Sequence, residues 1–277
     1  LLLNELNETR PGRVFLWPAF RRLTLIPGPS EFKLFMSQTM GRHGGRLIAL
    51  LKENPMSVTL AFDVYGTLID TQGIVSSLEK MIGTQASEFS RSWREKQLEY
   101  SFRRGLMQNY APFSVCTSNA LDFTCSYLKI SLTQVQKTEL LKNYRTLPAF
   151  ADVIESLSQL KAAGFRLFAF SNGSADAVEE LLVNAGIRTY FEGVVSVEDI
   201  RSFKPNPGVY SYFLRQSGAL GSAAWLISSN PFDVIGAISA GLQSAWVQRS
   251  QDAVFDPWGI EPTAIVASLN ELNDVLA

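Results

Sequence analysis

"AFDVYGTLID", residues 61–70, joins a buried strand to a turn through a single aspartate. With the residues just before it, "VTLAF" (58–62), it opens as a continuous apolar, β-rich run, the pattern of a strand covered on both faces of a parallel sheet. The run stops at Asp63, and Gly66 and Thr67 follow as a turn. Open parallel sheets bind ligands beyond the carboxyl ends of their strands, so Asp63 stands where such a fold places its chemistry.

Downstream, a helical pattern runs from about Ile74 to Arg145, interrupted chiefly at Gly105 and Pro112 and without a strand pattern. Within it, "ASEFSRSWREKQLEYSFRRGLM" (86–107) puts Phe89, Trp93 and Tyr100 on one stripe and Leu98, Phe102 and Leu106 on the next, predicting a helix packed on most sides. After Pro148 the pattern alternates: helices 152–163, 175–185, 207–217 and 232–241 separate strands 166–170, 193–197, 224–227 and 244–247. This predicts an α/β fold, a doubly wound, parallel, Rossmann-like sheet with an inserted helical domain. The expected boundaries are 56–72 and 148–277 for the sheet-bearing core and 73–147 for the helical insertion.

Composition narrows the function. With 46% hydrophobic residues in 277, the chain has enough apolar material for the core of one large domain carrying an insertion. Lys and Arg number 25 against 26 Asp and Glu, with no basic stripe, so no nucleic-acid partner is expected. No uncharged apolar stretch approaches the roughly 18 residues of a membrane span. Cys116 and Cys125 are too few for a disulfide framework or a zinc site, which points to a reducing cytoplasm. His43 is the sole histidine, so a histidine base would have to be that residue. Residues 1–55 carry eight Lys/Arg against four Asp/Glu, with arginines interrupting every apolar run. No cleavage pattern follows them. Met56 opens the segment leading into the first strand, and Lys52-Glu53 admits a purine-rich codon pair just upstream. The leader is therefore expected to be translated upstream sequence.

Each predicted strand hands polar groups to the same edge: Asp63 after the first, "SNGS" (171–174) after the second, "SFKPNP" (202–207) after the third and "SSNPFD" (228–233) after the fourth. Singly these have ordinary readings as turns, N-caps and first-turn helix acids. Their convergence points to a site.

At these four motifs the sequence resembles the haloacid dehalogenase superfamily, from Met56 to the C-terminus. The resemblance implies a nucleophilic aspartate, Asp63, and a covalent aspartyl intermediate. Phosphatases of that superfamily carry a second acid two residues after the nucleophile and hold magnesium with acids of the fourth motif. Here Tyr65 takes the first place, and "SSN" leaves only Asp233 of the acidic pair. A dianionic phosphoryl group needs a divalent cation with oxygen ligands, whereas a halide leaves as an anion without a proton. With "WREKQLEY" (93–100) and "FKPNPGVY" (203–210), the pattern is similar to the L-2-haloacid dehalogenase branch.

That resemblance implies attack by Asp63 on C2 of a short L-2-haloacid, then hydrolysis to the D-2-hydroxy acid, with no metal and no cofactor. Arg94 and Asn172 would receive the halide. Ser171 and the amides of Val64 and Tyr65 would hold the carboxylate. Thr67 and Ser228 would orient the nucleophile, Tyr210 would support Lys204, and Asn230 with Asp233 would position the hydrolytic water. Lys204 would let Asp63 and Asp233 both stay ionised. Tyr65, Leu98, Phe113 and Phe232 are the expected apolar wall around C2. The partners are then a 2-haloacid and water, with a second copy of the chain in a homodimer. Glu95 departs from the branch, which commonly has glutamine there, and an acid facing the site would weaken anion binding. A magnesium-dependent phosphatase or phosphomutase, and a non-catalytic small-anion binding protein, stay open as alternatives.

Overall fold

A computed structural model describes residues 58–276. The expectation for residues 1–55, His43 included, lies outside the described residues. Six strands form one sheet: β1 (Thr59–Asp63), β2 (Arg166–Ser171), β3 (Gly193–Ser196), β4 (Ala224–Ser228), β5 (Gln243–Val247) and β6 (Ala264–Val266). They lie in the order β3-β2-β1-β4-β5-β6, with every neighbouring pair parallel. The strand order reverses direction at β1, between β2 and β4, and Asp63 closes β1 at that switch point. The sixth strand has no counterpart in the sequence reading. Its three residues, with Ile265 exposed, are an edge too short to show a pattern.

Alternation along β1 divides the core. Leu60, Phe62 and Val64 pack on one face with Leu157 and Leu160 of α5 (Val153–Ala162) and Val178 and Leu181 of α6 (Ala175–Asn184). Ala61 packs on the other with Tyr210 and Phe213 of α7 (Pro207–Ser217) and Ala237 of α8 (Pro231–Ser239). Asp63 is two residues beyond Ala61, so its side chain falls on the α7 and α8 side, where Lys204 and Asp233 are waiting. Phe62 is fully buried, and truncating it to alanine would cost about 3–5 kcal/mol.

Between β1 and α5 come four helices: α1 (Val75–Ile82), α2 (Ala86–Leu106), α3 (Phe113–Tyr127) and α4 (Gln134–Asn143). A last short helix, α9 (Leu272–Leu276), ends the described chain. Two details of the helical stretch differ from the sequence reading. Gly105 lies inside the last turn of α2, and the break falls at Met107–Pro112. A second break, at Leu128–Thr133, contains neither glycine nor proline; Lys129 takes a positive φ and Thr133 restarts the chain with a capping box. The stripes of α2 also separate. Phe89 and Trp93 are fully buried, but Leu106 is 87% exposed, so α2 is covered along one side and uncovered at its end.

Candidate active site

Asp63 receives three donors from three separate segments. Thr67 Oγ1, on the turn after β1, donates to Oδ2 at 2.9 Å, and Asn230 Nδ2, from the β4–α8 junction, donates to the same oxygen at 2.8 Å. Lys204 Nζ, before α7, donates to Oδ1 at 3.1 Å. The turn is tight because Val64 O accepts the amides of both Leu68 and Ile69, and Gly66 takes φ +89°, a conformation that only glycine adopts cheaply.

Lys204 is buried, yet its ammonium is satisfied. Its three hydrogens meet three acceptors: Asp63 Oδ1, Asp233 Oδ2 at 2.8 Å and Phe170 O at 2.8 Å. Burial works against the charge, but Asp233 and Asp63 outweigh it and raise the lysine above its ordinary pKa. Asp233 is fully buried, with Oδ2 on Lys204 and Oδ1 accepting from Tyr210 Oη at 2.7 Å. Burial pushes its carboxyl up, the charge of Lys204 opposes this, and the net shift is upward. Burial, together with the neighbouring Asp233, holds the Tyr210 phenol well above its usual value.

Beyond Asp63 lies a cavity of about 10 Å³, room for about one water. Its polar lining is Asp63, Arg94, Ser171, Asn172, Lys204 and Asn230; its apolar lining is Tyr65, Leu98, Phe113 and Phe232. Phe102 covers Phe232 edge to face, with ring centroids 4.9 Å apart, so the second stripe of α2 roofs the cavity. Tyr65 and Phe113 also border a second, larger pocket of about 520 Å³, reaching out to Lys142 and Arg145. Burial pushes the Tyr65 phenol up to about 12, so the residue in the place of a second acid is neutral. Val64 is fully buried and is not among the residues that line the cavity.

Several assignments change at this point. Tyr210 does not touch Lys204; it holds Asp233, which in turn holds Lys204. Ser228 makes no hydrogen bond to Asp63; its Oγ accepts from Asn230 N at 3.2 Å, so it shapes the turn that delivers Asn230. The reason is reach: the β4–α8 chain must advance two residues past Ser228 before a side chain arrives at Asp63. Asn230 directs its amide to Asp63 Oδ2 and Tyr65 O. Asn172 accepts Lys204 N through Oδ1 at 2.9 Å, and Ser171 Oγ accepts Gly173 N at 3.1 Å. Glu95 is exposed and lines no part of the cavity, because it follows Arg94 by 100° around α2.

Two residues escaped the sequence reading. Gln97 is buried, accepts Arg94 Nη1 at 2.7 Å and donates to Thr117 Oγ1 at 2.6 Å; Arg94 Nη2 then donates to Tyr65 O at 3.1 Å. The i,i+3 spacing of Arg94 and Gln97 was the available signal. Ser229 donates its amide to Thr67 Oγ1 at 2.9 Å and its hydroxyl to Gly66 O at 2.7 Å, tying the β4 loop to the β1 turn.

The donor set does not fit the magnesium of the phosphatases. Both acids of the cluster, Asp63 and Asp233, are bonded to Lys204, and among the described residues no group of three or more His, Cys, Asp or Glu could hold a metal.

Comparison with known proteins agrees with this geometry. Residues 60–247 match the family model of haloacid dehalogenase-like hydrolases. The chain is 36% identical over 217 residues to an (S)-2-haloacid dehalogenase of Pseudomonas putida, covering 78% of this chain and 95% of that one. It is 35% identical over 218 residues to haloacetate dehalogenase H-2 of Moraxella sp. (strain B), covering 79% and 97%. Among solved structures it resembles the L-2-haloacid dehalogenase of Xanthobacter autotrophicus with chloropropionic acid covalently bound, with a TM-score of 0.75 and 30% identity over 80% of this chain and 98% of that one. A parallel sheet with Asp63 at its switch point, a lysine bridging two buried acids and these matches together place the chain in the haloacid dehalogenase-like hydrolase family.

Proposed function

We propose that the protein hydrolyses short L-2-haloacids to D-2-hydroxy acids through a covalent ester at Asp63, without a metal. The observation that carries this reading is Lys204, whose ammonium joins Asp63 Oδ1 to Asp233 Oδ2 in a site where Tyr65 replaces a second acid. Asp63 Oδ2 is anchored by two donors and Oδ1 by one, so Oδ1 keeps the freer lone pair. It attacks C2 from the side opposite the halogen; the C–O bond forms as the carbon–halogen bond breaks, and the halide leaves with the electron pair. Arg94, fixed by Gln97 and Tyr65 O, and the side-chain amide of Asn172 receive it. Ser171 and the amides of Val64 and Tyr65 hold the carboxylate, and the rings of Tyr65, Phe113 and Phe232 with Leu98 enclose C2.

Water then adds to the Asp63 carbonyl carbon. Its proton passes to Asp233, whose carboxyl burial raises above its ordinary value. Collapse breaks the ester bond at the Asp63 carbonyl carbon, the departing alkoxide takes up the proton received by Asp233 to become the hydroxy acid, and one water oxygen stays in Asp63. Helices α1–α4 are the cap, because Arg94, Leu98 and Phe113 come from α2 and α3. We read the assembly as a cytoplasmic homodimer. Exposed Leu106, Met107 and Tyr127 supply apolar surface, and no helix among the described residues is long and apolar enough to cross a membrane. Light scattering would report the mass.

The experiment is halide release from L- and D-2-chloropropionate and chloroacetate with EDTA present, beside Asp63→Ala. Release from the L form and chloroacetate, lost in the variant, supports the reading. Release that needs magnesium, or that survives in Asp63→Ala, overturns it.

A further inference from the structure

Arg249 lies 182 residues from Thr67 in sequence, two residues past the end of β5, in none of the four motifs. Its Nη2 donates to Thr67 O at 2.6 Å. Its Nη1 donates to Asp152 Oδ2 at 2.7 Å, and the guanidinium lies 4.2 Å from the centroid of the Phe150 ring. Asp152 Oδ2 also accepts Ser268 Oγ at 2.9 Å and Leu269 N at 2.8 Å. One planar cation therefore ties the segment before α5, and through Asp152 the segment before α9, to the backbone of the residue whose hydroxyl holds Asp63.

The joint has a cost. Arg249 Nε and Asp152 Oδ1 are the buried side-chain polar atoms without a hydrogen-bond partner among the described residues. An Arg–Asp pair can meet side-on through Nε and Nη, satisfying both. Here Nη2 is turned to Thr67 O instead, and Nε and Oδ1 are left without a partner. A fold-stabilising pair would close on itself; this one is opened toward the turn after the nucleophile.

We propose that Arg249 is a positioning residue for the reaction, fixing Thr67 by its carbonyl so that Thr67 Oγ1 stays on Asp63 Oδ2. This rests on the reading of Asp63 as the nucleophile. Thr67 Oγ1 is also gripped by Ser229 N, so the hydroxyl cannot follow a displaced backbone and keep both bonds. Arg249 does not line the reaction cavity, so its loss reaches the reaction through Thr67.

The test uses the full chain as Arg249→Lys and Arg249→Ala, with Asp63→Ala beside them, and reads kcat and KM for L-2-chloropropionate and the single-turnover rate of ester formation. The expected result is a tenfold or larger fall in kcat and ester formation with KM within threefold, and partial recovery of Arg249→Ala by added methylguanidinium. A purely structural role would lower Tm and leave kcat intact below the melting transition; that result overturns the proposal. Where Arg249→Ala does not fold, Arg249→Lys decides by the same kcat and KM criterion. Halide release surviving in Asp63→Ala would instead refute the nucleophile reading, so the two failures are separable.

Discussion

Lys204 Nζ stands 2.8 Å from Asp233 Oδ2 with both side chains buried, which makes the pair a single charged unit in which neither partner is dispensable. Removing one partner of such a pair strands the other and costs about 3–5 kcal/mol. Asp233→Asn is gentler, since it keeps one side-chain oxygen to accept from Lys204, while its NH2 faces Tyr210 Oη, which can turn to accept. Asp233→Asn is expected to form the Asp63 ester and fail to hydrolyse it, lowering kcat by about 10²–10⁴-fold. Intact-protein mass spectrometry after adding substrate would detect the accumulated adduct; a variant that turns over without it argues against Asp233 as the base.

Gln97 is the mount for Arg94. Gln97→Leu removes the acceptor of a charge-assisted bond worth about 1.5–3 kcal/mol, so kcat/KM for L-2-chloropropionate is expected to fall about tenfold or more. Circular dichroism should show the helices intact, and weaker inhibition by added bromide would locate the loss at the halide end.

Glu95 supplies the opposite expectation. Its side chain is exposed and outside the cavity, where water and salt screen it. Glu95→Gln should change kcat and KM by less than twofold at 0.15 M salt. A large gain in activity would mean that the acid does reach the halide.

Gly236 is a case in which two effects compete. Alanine in a helix interior is favoured over glycine by about 1 kcal/mol. A Cβ at Gly236, however, would lie 2.5 Å from Tyr210 Oη and 2.7 Å from Pro205 Cβ. Overpacking of this kind costs about 1–3 kcal/mol, so the clash wins. Gly236→Ala is expected to lower both Tm and kcat, because the atom it displaces is the one that holds Asp233.

Asp152 sets an acid limit on stability. Burial raises its carboxyl, but the bonds from Arg249, Leu269 N and Ser268 prevail, and its pKa is held below the usual value. A depressed pKa gives stability that is present above the unfolded value, about 3.9, and is lost as pH falls through the folded one. Unfolding midpoints in urea should therefore drop as pH falls below about 4, and Asp152→Asn should flatten that slope.

The first four strands were legible because each is an apolar run followed by a polar cluster, and Asp63, Ser171, Lys204 and Asp233 mark those ends; β6, three residues long with Ile265 exposed, carries no such mark. The apolar wall of Tyr65, Leu98, Phe113 and Phe232 was legible only through a family resemblance, since nothing in spacing tells a cavity wall from a core. Ser228 and Tyr210 were assigned one contact away from their actual partners: residue type fixes what a group can donate, and only the folded path fixes which acceptor is in reach. Arg249 was missed for the same reason, its partners Thr67 and Asp152 lying on other segments; Gln97 shares a helix with Arg94, but its second partner, Thr117, lies on α3.

The cavity beside Asp63 and the larger pocket share two walls, the rings of Tyr65 and Phe113. A change at either ring therefore reshapes both spaces at once, so the chamber of the chemistry and its neighbour cannot be altered independently.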